Sequence, residues 1–337
     1  MIADDAAALA RIRAFFAEEV TFSLNNHPLT EAFATVKREA FLAKGPWLTQ
    51  NRHSAPQYVA TPDANPRHLY HDHHVAIDAT GFINSGGPGF NAFIFDMLEV
   101  KPGETVIYLG SGCGYYAAIL GELVGAGGKV ICVEVDPERA AQAGRALAPW
   151  PQVRQWCGNG ATEPLEPCDV LIAGAGVTHP PSPALEALKV GGRMVFPLMG
   201  TIGEGEHYGT VAAMLHAHRM SAHSFAVRPL CHASYLPFVG ARDPALAELI
   251  DAAMAQDGGA TIASLRLDSH PHDPSSCWLH SDGDPAGRSS GDSLAAHPFC
   301  LSRLAGGQLH QDQPDPGVGL KLPPFNQLNV LPYGHPR

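Results

Sequence analysis

Apolar side chains recur at helical spacing at Leu9, Ile12, Phe16 and Val20, pause at the polar break Asn25-Asn26-His27-Pro28, and recur through Phe33, Val36 and Phe41. This predicts two N-terminal helices. Residues 45–89 carry no such period; rich in Pro, His, Asn and Gly, they read as a long ordered loop or lid. Pro88 then suits the first turn of a helix that gathers Phe90, Phe93, Ile94, Met97 and Leu98 on one face. From Glu104 the pattern changes to short β-rich runs: ETVIYLG, KVICVEV, QVRQWCG, DVLIAGAG, RMVFPL, TVAAMLHAH and SFAVRPL. Helices from Tyr115, from Pro137 and near Pro183 interrupt the first five, which predicts a doubly wound, mainly parallel α/β sheet. The last two runs have no helix between them and are expected to form an antiparallel pair at one edge. After Arg242, ALAELIDAAMA reads as one more helix, and DSHPHDPSSCWLHSDGDPAGRSSGDS reads as loop or disorder.

Composition narrows the functional classes. A chain of 337 residues, 45% of them hydrophobic, can bury a large core and carry an appendage. A formal net charge of -11, without a basic run, argues against nucleic acid or an anionic membrane as partner. The acidic start and the lack of an apolar segment approaching roughly 20 residues lead to the expectation of a soluble, cytoplasmic protein. Seven cysteines with no Cys-x-x-Cys are expected to be scattered core and loop thiols, with neither a disulfide framework nor a metal site. His71, His73 and His74 flank Asp72 and are read as polar lid residues, with a base for a non-carboxylate acceptor as the fallback.

The chemistry concentrates at VIYLGSGCGY, residues 106–115, where an apolar strand runs into Gly110, Gly112 and Gly114 and a helix follows. Such a turn lets the backbone approach a ligand at a strand's carboxyl end. The spacing is not the dinucleotide GxGxxG, and no phosphate-loop Lys-Ser/Thr follows. Glu134 ends the second strand where an acid reaches both ribose hydroxyls, about 20 residues past the glycines. Gly158-Asn159-Gly160 ends the third strand, placing a short polar side chain toward an adenine edge. Three such strand ends describe an adenosine site without a pyrophosphate, which points to S-adenosylmethionine. Cys113, inside this loop, is read as a small filler.

The run LGSGCGYYAAIL, with VICVEVD, GNG, DVLIAGAG, ALEALKVGGRMVFPL and SYLPFVG in this order, resembles the protein-L-isoaspartate O-methyltransferases over roughly residues 30–245. VKREAF resembles that family's Arg-and-Phe motif, and Tyr70 with Asp72 its Tyr-x-Asp at the start of the lid. The resemblance implies a seven-stranded Rossmann-like methyltransferase sheet, S-adenosylmethionine as cofactor, and transfer of its methyl group to a carboxylate of a peptide or protein. It implies cofactor contacts at Tyr108, Gly110, Ser111, Gly112, Gly114, Tyr115, Glu134, Val135, Asn159 and Gly160. Ser85 and Gly86 fall at the acceptor, with Tyr70, Asp72, Asn84, Gly87, Leu236 and Pro237 around it. The division expected is 1–89 helical region and lid, 90–245 cofactor-binding core, and 246–337 C-terminal extension for recognition or oligomerisation.

Two departures from the family pattern stand out. Tyr108 replaces an acidic residue two before the first glycine, and Asn159 replaces an adenine-contacting Asp, though its amide oxygen can still accept. In GFINSGGPGF, residues 81–90, the family's acceptor Ser aligns with Gly86 without gaps, or with Ser85 after a one-residue shift. Free backbone amides at a helix N-terminus would in either case offer an anion site. The altered loop and the extension favour a dedicated peptide-modifying enzyme over general isoaspartyl repair; a small-molecule acceptor or a non-catalytic peptide-binding protein are the other readings.

Overall fold

The computed structural model describes residues 2–50, 58–78, 83–202, 210–273, 275–281 and 299–303. By internal contacts the chain forms two compact units, residues 1–174 with 183–195, and residues 175–182 with 196 onward.

The first unit opens with α1 (Ile2–Thr21) and α2 (His27–Thr35). Asn26 caps α2 by accepting from the Leu29 N–H at 3.2 Å, and Pro28 sits in its first turn, so the polar break starts a helix as well as ending one. The third apolar position expected on α2, Phe41, belongs instead to a separate 3₁₀ turn, Arg38–Phe41. The lid is more ordered than its composition implies: β1 (Leu48–Gln50) pairs antiparallel with both β2 (Val59–Ala60) and β3 (His74–Val75), and a 3₁₀ turn spans Pro66–Leu69. Trp47, Leu69 and Val75 give it a small core. α3 (Pro88–Leu98) follows, with Gly87 as its cap and Pro88 at its first position.

Then come β4 (Thr105–Leu109), α4 (Tyr115–Val124), β5 (Lys129–Glu134), α5 (Pro137–Ala146), β6 (Val153–Cys157), β7 (Cys168–Ala173) and α6 (Ser182–Ala187). β8 (Leu188–Met199) starts in the first unit and ends in the second. β4 pairs parallel with β5 and β7, β5 with β6, and β7 with β8, giving the order β8-β7-β4-β5-β6. β4 is central and almost wholly buried, which is why its residues form a continuous apolar run and not an alternating one. Aromatic rings carry the packing outward: Phe16 meets Phe33 and Tyr70 edge-on at 6.1 and 5.6 Å, and Tyr115 meets Phe33 and Phe41 at 6.3 and 5.8 Å.

In the second unit β9 (Thr210–Arg219) and β10 (Ser224–Tyr235) form the expected antiparallel pair, but β10 is no edge, because β11 (Ile262–Arg266) pairs with its other side. α7 (Pro244–Asp257) is capped by Asp243, which accepts from the Ala245 and Leu246 N–H groups, and it ends at Gly258 with φ 65°. β12 (Cys277–Ser281) and β13 (Phe299–Arg303) complete the order β10-β11-β13-β12. The expectation of loop or disorder is therefore corrected for Cys277–Ser281. This segment is too short for its alternation to stand out beside Pro, Gly and Ser, and long-range pairing makes it a strand. All seven predicted strands are present, and three further ones follow.

Candidate active site

The end of β4 turns through three left-handed glycines, Gly110 at φ 76°, Gly112 at 57° and Gly114 at 88°. A side chain would be strained at each of them. At Gly114 a Cβ would also press on Leu147 and Ala143 at 3.1 and 3.2 Å, so this glycine is needed for packing α4 against α5. At Gly112 a Cβ would meet the Ile77 side chain of the lid at 3.7 Å, an ordinary contact. Strand ends β4 and β7 approach closely: the Gly174 N–H donates to Leu109 O at 2.8 Å, and a Cβ on Gly174 would lie 2.9 Å from Gly110 O.

Glu134 closes the cradle from β5. Its Oε2 accepts from the Gly112 N–H at 3.0 Å, and its Oε1 accepts from the Asp136 N–H at 3.1 Å and from Arg139 at 3.3 Å. Three bonds leave room for about one more acceptor contact on a carboxylate. Beside it Val135 is 44% exposed, an apolar side chain left open next to the acid. Ser111 is buried and donates to Gln155 at 3.1 Å, tying the turn to β6. Tyr108 is buried, and that burial raises its hydroxyl well above the ordinary phenol range, so it is a neutral group. Burial likewise raises the Cys113 thiol, in keeping with a filler. Gly160 has no room for a side chain, since a Cβ would lie 2.6 Å from Leu109.

Two cofactor expectations change. The Asn159 amide oxygen accepts from the Ala161 N–H at 3.0 Å in a local turn, which leaves it one lone pair as well as its amide donors. Tyr115 is 1% exposed, with its ring among Phe33 and Phe41 and its hydroxyl without a partner. Its side chain belongs to the core. The next residue, Tyr116, reaches the acceptor loop, donating to Gly86 O at 3.0 Å. One residue turns the side chain about 100° around a helix, which the doubled tyrosine does not reveal in sequence.

The acceptor loop lies between β3 and α3; Gly81 and Phe82 of the quoted stretch fall outside the described residues. Ser85 is 7% exposed and points inward. Its hydroxyl accepts from Arg38 Nη2 at 2.9 Å and from the Val75 N–H at 3.3 Å. Arg38, fully buried, also donates to the carbonyls of Leu69, His71 and His73, and its guanidinium lies 5.8 Å from the centre of the Tyr115 ring. One arginine thus fixes the lid backbone to the acceptor serine. In sequence it is one of two adjacent cations, Lys37 and Arg38 of VKREAF, and the role becomes visible only in space.

The expected free amides are partly taken. The Gly86 N–H donates to Asn84 Oδ1 at 2.8 Å, and the Gly89 N–H, in the first turn of α3, donates to Asp72 Oδ1 at 2.9 Å. Asp72 is the carboxylate at this helix start, and its charge suits that place. Gly86 has φ 71°, and a Cβ there would approach Asn91 Nδ2 at 3.0 Å; a Cβ at Gly87 would meet His74 at 3.3 Å. Tyr70 turns away from the site: its ring packs on Phe16, its hydroxyl donates to Glu39, and burial together with that partner pushes its pKa up. His73 is held neutral, its pKa pushed down to about 3 by burial and by the neighbouring Arg38 charge. His71, Asp72, His73 and Gly89 line a cleft of about 840 Å³, together with Thr49 and Thr61. Leu236 and Pro237 lie in the second unit, where the Gly176 N–H donates to Leu236 O at 2.8 Å.

Residues 21–242 match the family model described as protein-L-isoaspartate(D-aspartate) O-methyltransferase. The chain is 35% identical over 147 residues to protein-L-isoaspartate O-methyltransferase 1 of Archaeoglobus fulgidus, covering 42% of this chain and 67% of the relative. It is 30% identical over 174 residues to the Picosynechococcus sp. protein of the same name, covering 50% and 76%. The match covers 55% of the Cupriavidus necator relative, so the chain spans between half and three quarters of the length of these proteins. In structure, a protein-L-isoaspartate O-methyltransferase aligns with TM-score 0.50 at 20% identity, over 72% of this chain and 69% of its own. A Plasmodium falciparum beta-aspartate methyltransferase in complex with S-adenosyl-L-homocysteine aligns with TM-score 0.50 at 14% identity, over 67% and 97%. At these identities the structural likeness speaks for the fold.

Proposed function

The chain belongs to the protein-L-isoaspartate O-methyltransferase family, enzymes that use S-adenosylmethionine, and from that premise we propose that it esterifies a carboxylate of a peptide or protein. The observation that carries this reading is the turn of Gly110, Gly112 and Gly114 with the Glu134 carboxylate bonded to the Gly112 N–H. The residues present fit the cofactor: a glycine turn that takes left-handed backbone, an acid with acceptor capacity left, an exposed Val135 for an apolar ring face, and a neutral Tyr108.

S-adenosylmethionine, when bound, supplies an electrophilic methyl group on a sulfonium. A carboxylate, with pKa about 4, is already ionised at neutral pH, so this chain needs no general base. Its contribution is to hold the acceptor oxygen in line and to keep water out. His73, a lid residue kept neutral by desolvation and by the Arg38 charge, is not required as a base, although it remains the fallback for a non-carboxylate acceptor.

We further propose a restricted acceptor, such as an Asp or isoaspartyl carboxylate of one partner peptide. Ser85 binds Arg38 and Asp72 binds the first turn of α3, so an acceptor must be recognised by other groups. In this reading residues 1–89 form the lid region, 90–245 the core, and 246–337 an added recognition surface. No described helix is long and apolar enough to cross a membrane, and a cytoplasmic setting agrees with the proposal.

The test is incubation of the full chain with methyl-labelled cofactor and peptides carrying isoaspartyl, aspartyl or neither residue. Base-labile release of methanol is expected. A stable N-methyl product, or no cofactor binding at near-millimolar concentration, would overturn the activity. Equal rates on unrelated isoaspartyl peptides would replace the restricted acceptor by general repair.

A further inference from the structure

Four side chains of the second unit converge although no two of them have a familiar metal-binding spacing. His270, Cys277, His280 and Cys300 each bring one nitrogen or sulfur within 4.8 Å of the others. The expectation of scattered thiols rested on the lack of Cys-x-x-Cys; sheet pairing supplies what linear spacing does not.

The geometry follows from the strand register. His280 lies opposite Cys300, and Cys277 opposite Ser302. Along β13, Cys300 and Ser302 share a face because they are two residues apart. Along β12, Cys277 and His280 are three apart and in a regular strand would face opposite ways. The register shift between Cys277 and Leu279 inserts the extra residue that turns both to the face of Cys300. His270 arrives from the loop after β11, its Nε2 3.7 Å from Cys277 Sγ and its ring 4.8 Å from that of His280.

The surroundings are those of metal ligands. His270 Nδ1 lies 3.2 Å from the Asp268 carbonyl and 3.7 Å from its carboxylate, so a proton held there leaves the Nε2 lone pair facing the thiols. The Asp273 N–H donates to Cys277 Sγ at 3.4 Å, a bond that favours the thiolate. Both cysteines are buried. A tetrahedral zinc with Zn–S near 2.3 Å and Zn–N near 2.0 Å needs ligand atoms about 3.3 to 3.8 Å apart. The cluster already meets that edge at one pair and closes to it by shifts of about 1.5 Å at most elsewhere.

We propose that His270, Cys277, His280 and Cys300 form a structural zinc site that fastens the loop after β11 to the β12–β13 pair. Two thiolates and two neutral imidazoles suit zinc in ligand softness and geometry. Four protein ligands leave no open position, so the metal holds structure and performs no chemistry on the acceptor. Each zinc bound releases the protons of the two thiols.

The experiment measures metal content in the full-length chain purified under reducing conditions without chelator. About one zinc per chain is expected, falling to background in Cys277→Ala and Cys300→Ala and retained in Cys157→Ser, an exposed thiol away from the cluster. To separate ligation from misfolding, His270→Gln should weaken zinc binding at least tenfold in competition with a chromogenic chelator while keeping the wild-type circular dichroism. The cobalt(II)-substituted wild type should show thiolate charge transfer and tetrahedral d–d bands. A wild-type chain that carries no zinc and takes none up from zinc chloride, an octahedral cobalt spectrum, or a Cys277–Cys300 disulfide in the freshly purified protein would overturn the site.

Discussion

Two glycine-rich turns of this chain, each leading into a helix N-terminus, are filled by side chains to different degrees. Before α4, a Cβ on Gly110 or Gly112 would meet only ordinary contacts, Gly174 at 3.8 Å and Ile77 at 3.7 Å, with Glu134 alongside. Before α3, the turn of Gly86, Gly87 and Gly89 is filled by the protein itself: Asn84 takes one N–H, Asp72 another, Tyr116 a carbonyl, and Arg38 the Ser85 hydroxyl. Glycine content alone therefore does not make a ligand site. The glycine N–H groups find partners within the chain at the first turn too, Gly110 on Val133 O at 2.7 Å, Gly112 on Glu134 at 3.0 Å and Gly114 on Ser111 O at 3.1 Å; what differs is how many side chains fill the turn, Glu134 at the first against Asn84, Asp72, Tyr116 and Arg38 at the second.

Several substitutions would break or sharpen that contrast. The largest effect on cofactor binding is expected at Gly112→Val, where a left-handed residue gains a branched side chain beside Glu134. Cofactor affinity should fall by at least about 100-fold, roughly 2.7 kcal/mol, with circular dichroism unchanged, measured by calorimetric titration. Retained affinity would show that this turn is not the cradle.

Arg38→Leu comes next, acting on stability and not on the cofactor. It strands three carbonyls and a serine hydroxyl in the interior, and about 3–5 kcal/mol of unfolding free energy should be lost in urea denaturation. Ser85→Ala removes one bond to the same guanidinium and should cost about 1 kcal/mol, with kcat within about twofold of wild type. A hundredfold loss of kcat with full stability would instead place the hydroxyl on the acceptor. Asp72→Asn weakens the charge at the start of α3 and should cost about 0.5–1 kcal/mol; a fall in acceptor KM alongside would mean that Asp72 competes with the substrate carboxylate.

A further effect is in pH dependence. His73 is depressed to about 3 in the fold, from an ordinary value of 6.5, by burial and by Arg38. Its contribution is complete above pH 6.5 and is lost as pH falls from there towards 3, because the unfolded chain takes up the proton first. The slope is at most about 1.4 kcal/mol per pH unit. His73→Gln should flatten this limb in urea titrations between pH 6.5 and 5, and an unchanged slope would assign it to other groups.

Much of the cofactor side was legible along the chain. The β4 run, the three glycines and Glu134 are neighbours in sequence or on adjacent strand ends, so parallel pairing places them with little freedom, and the seven strands follow from the same periodicities. Asn159 and Tyr115 show the limit: each sits at the expected position, but a local turn engages one oxygen and helical phase buries one ring. On the acceptor side the sequence determined only that glycines, a serine, an acid and an arginine were available. Which of them pair was decided by packing between segments 17 to 47 residues apart. The same holds for His270, Cys277, His280 and Cys300, whose meeting depends on a bulge between β12 and β13. Periodicity fixes which face a residue takes within its own element; which distant group meets it depends on register and burial, which exist only once the chain has folded.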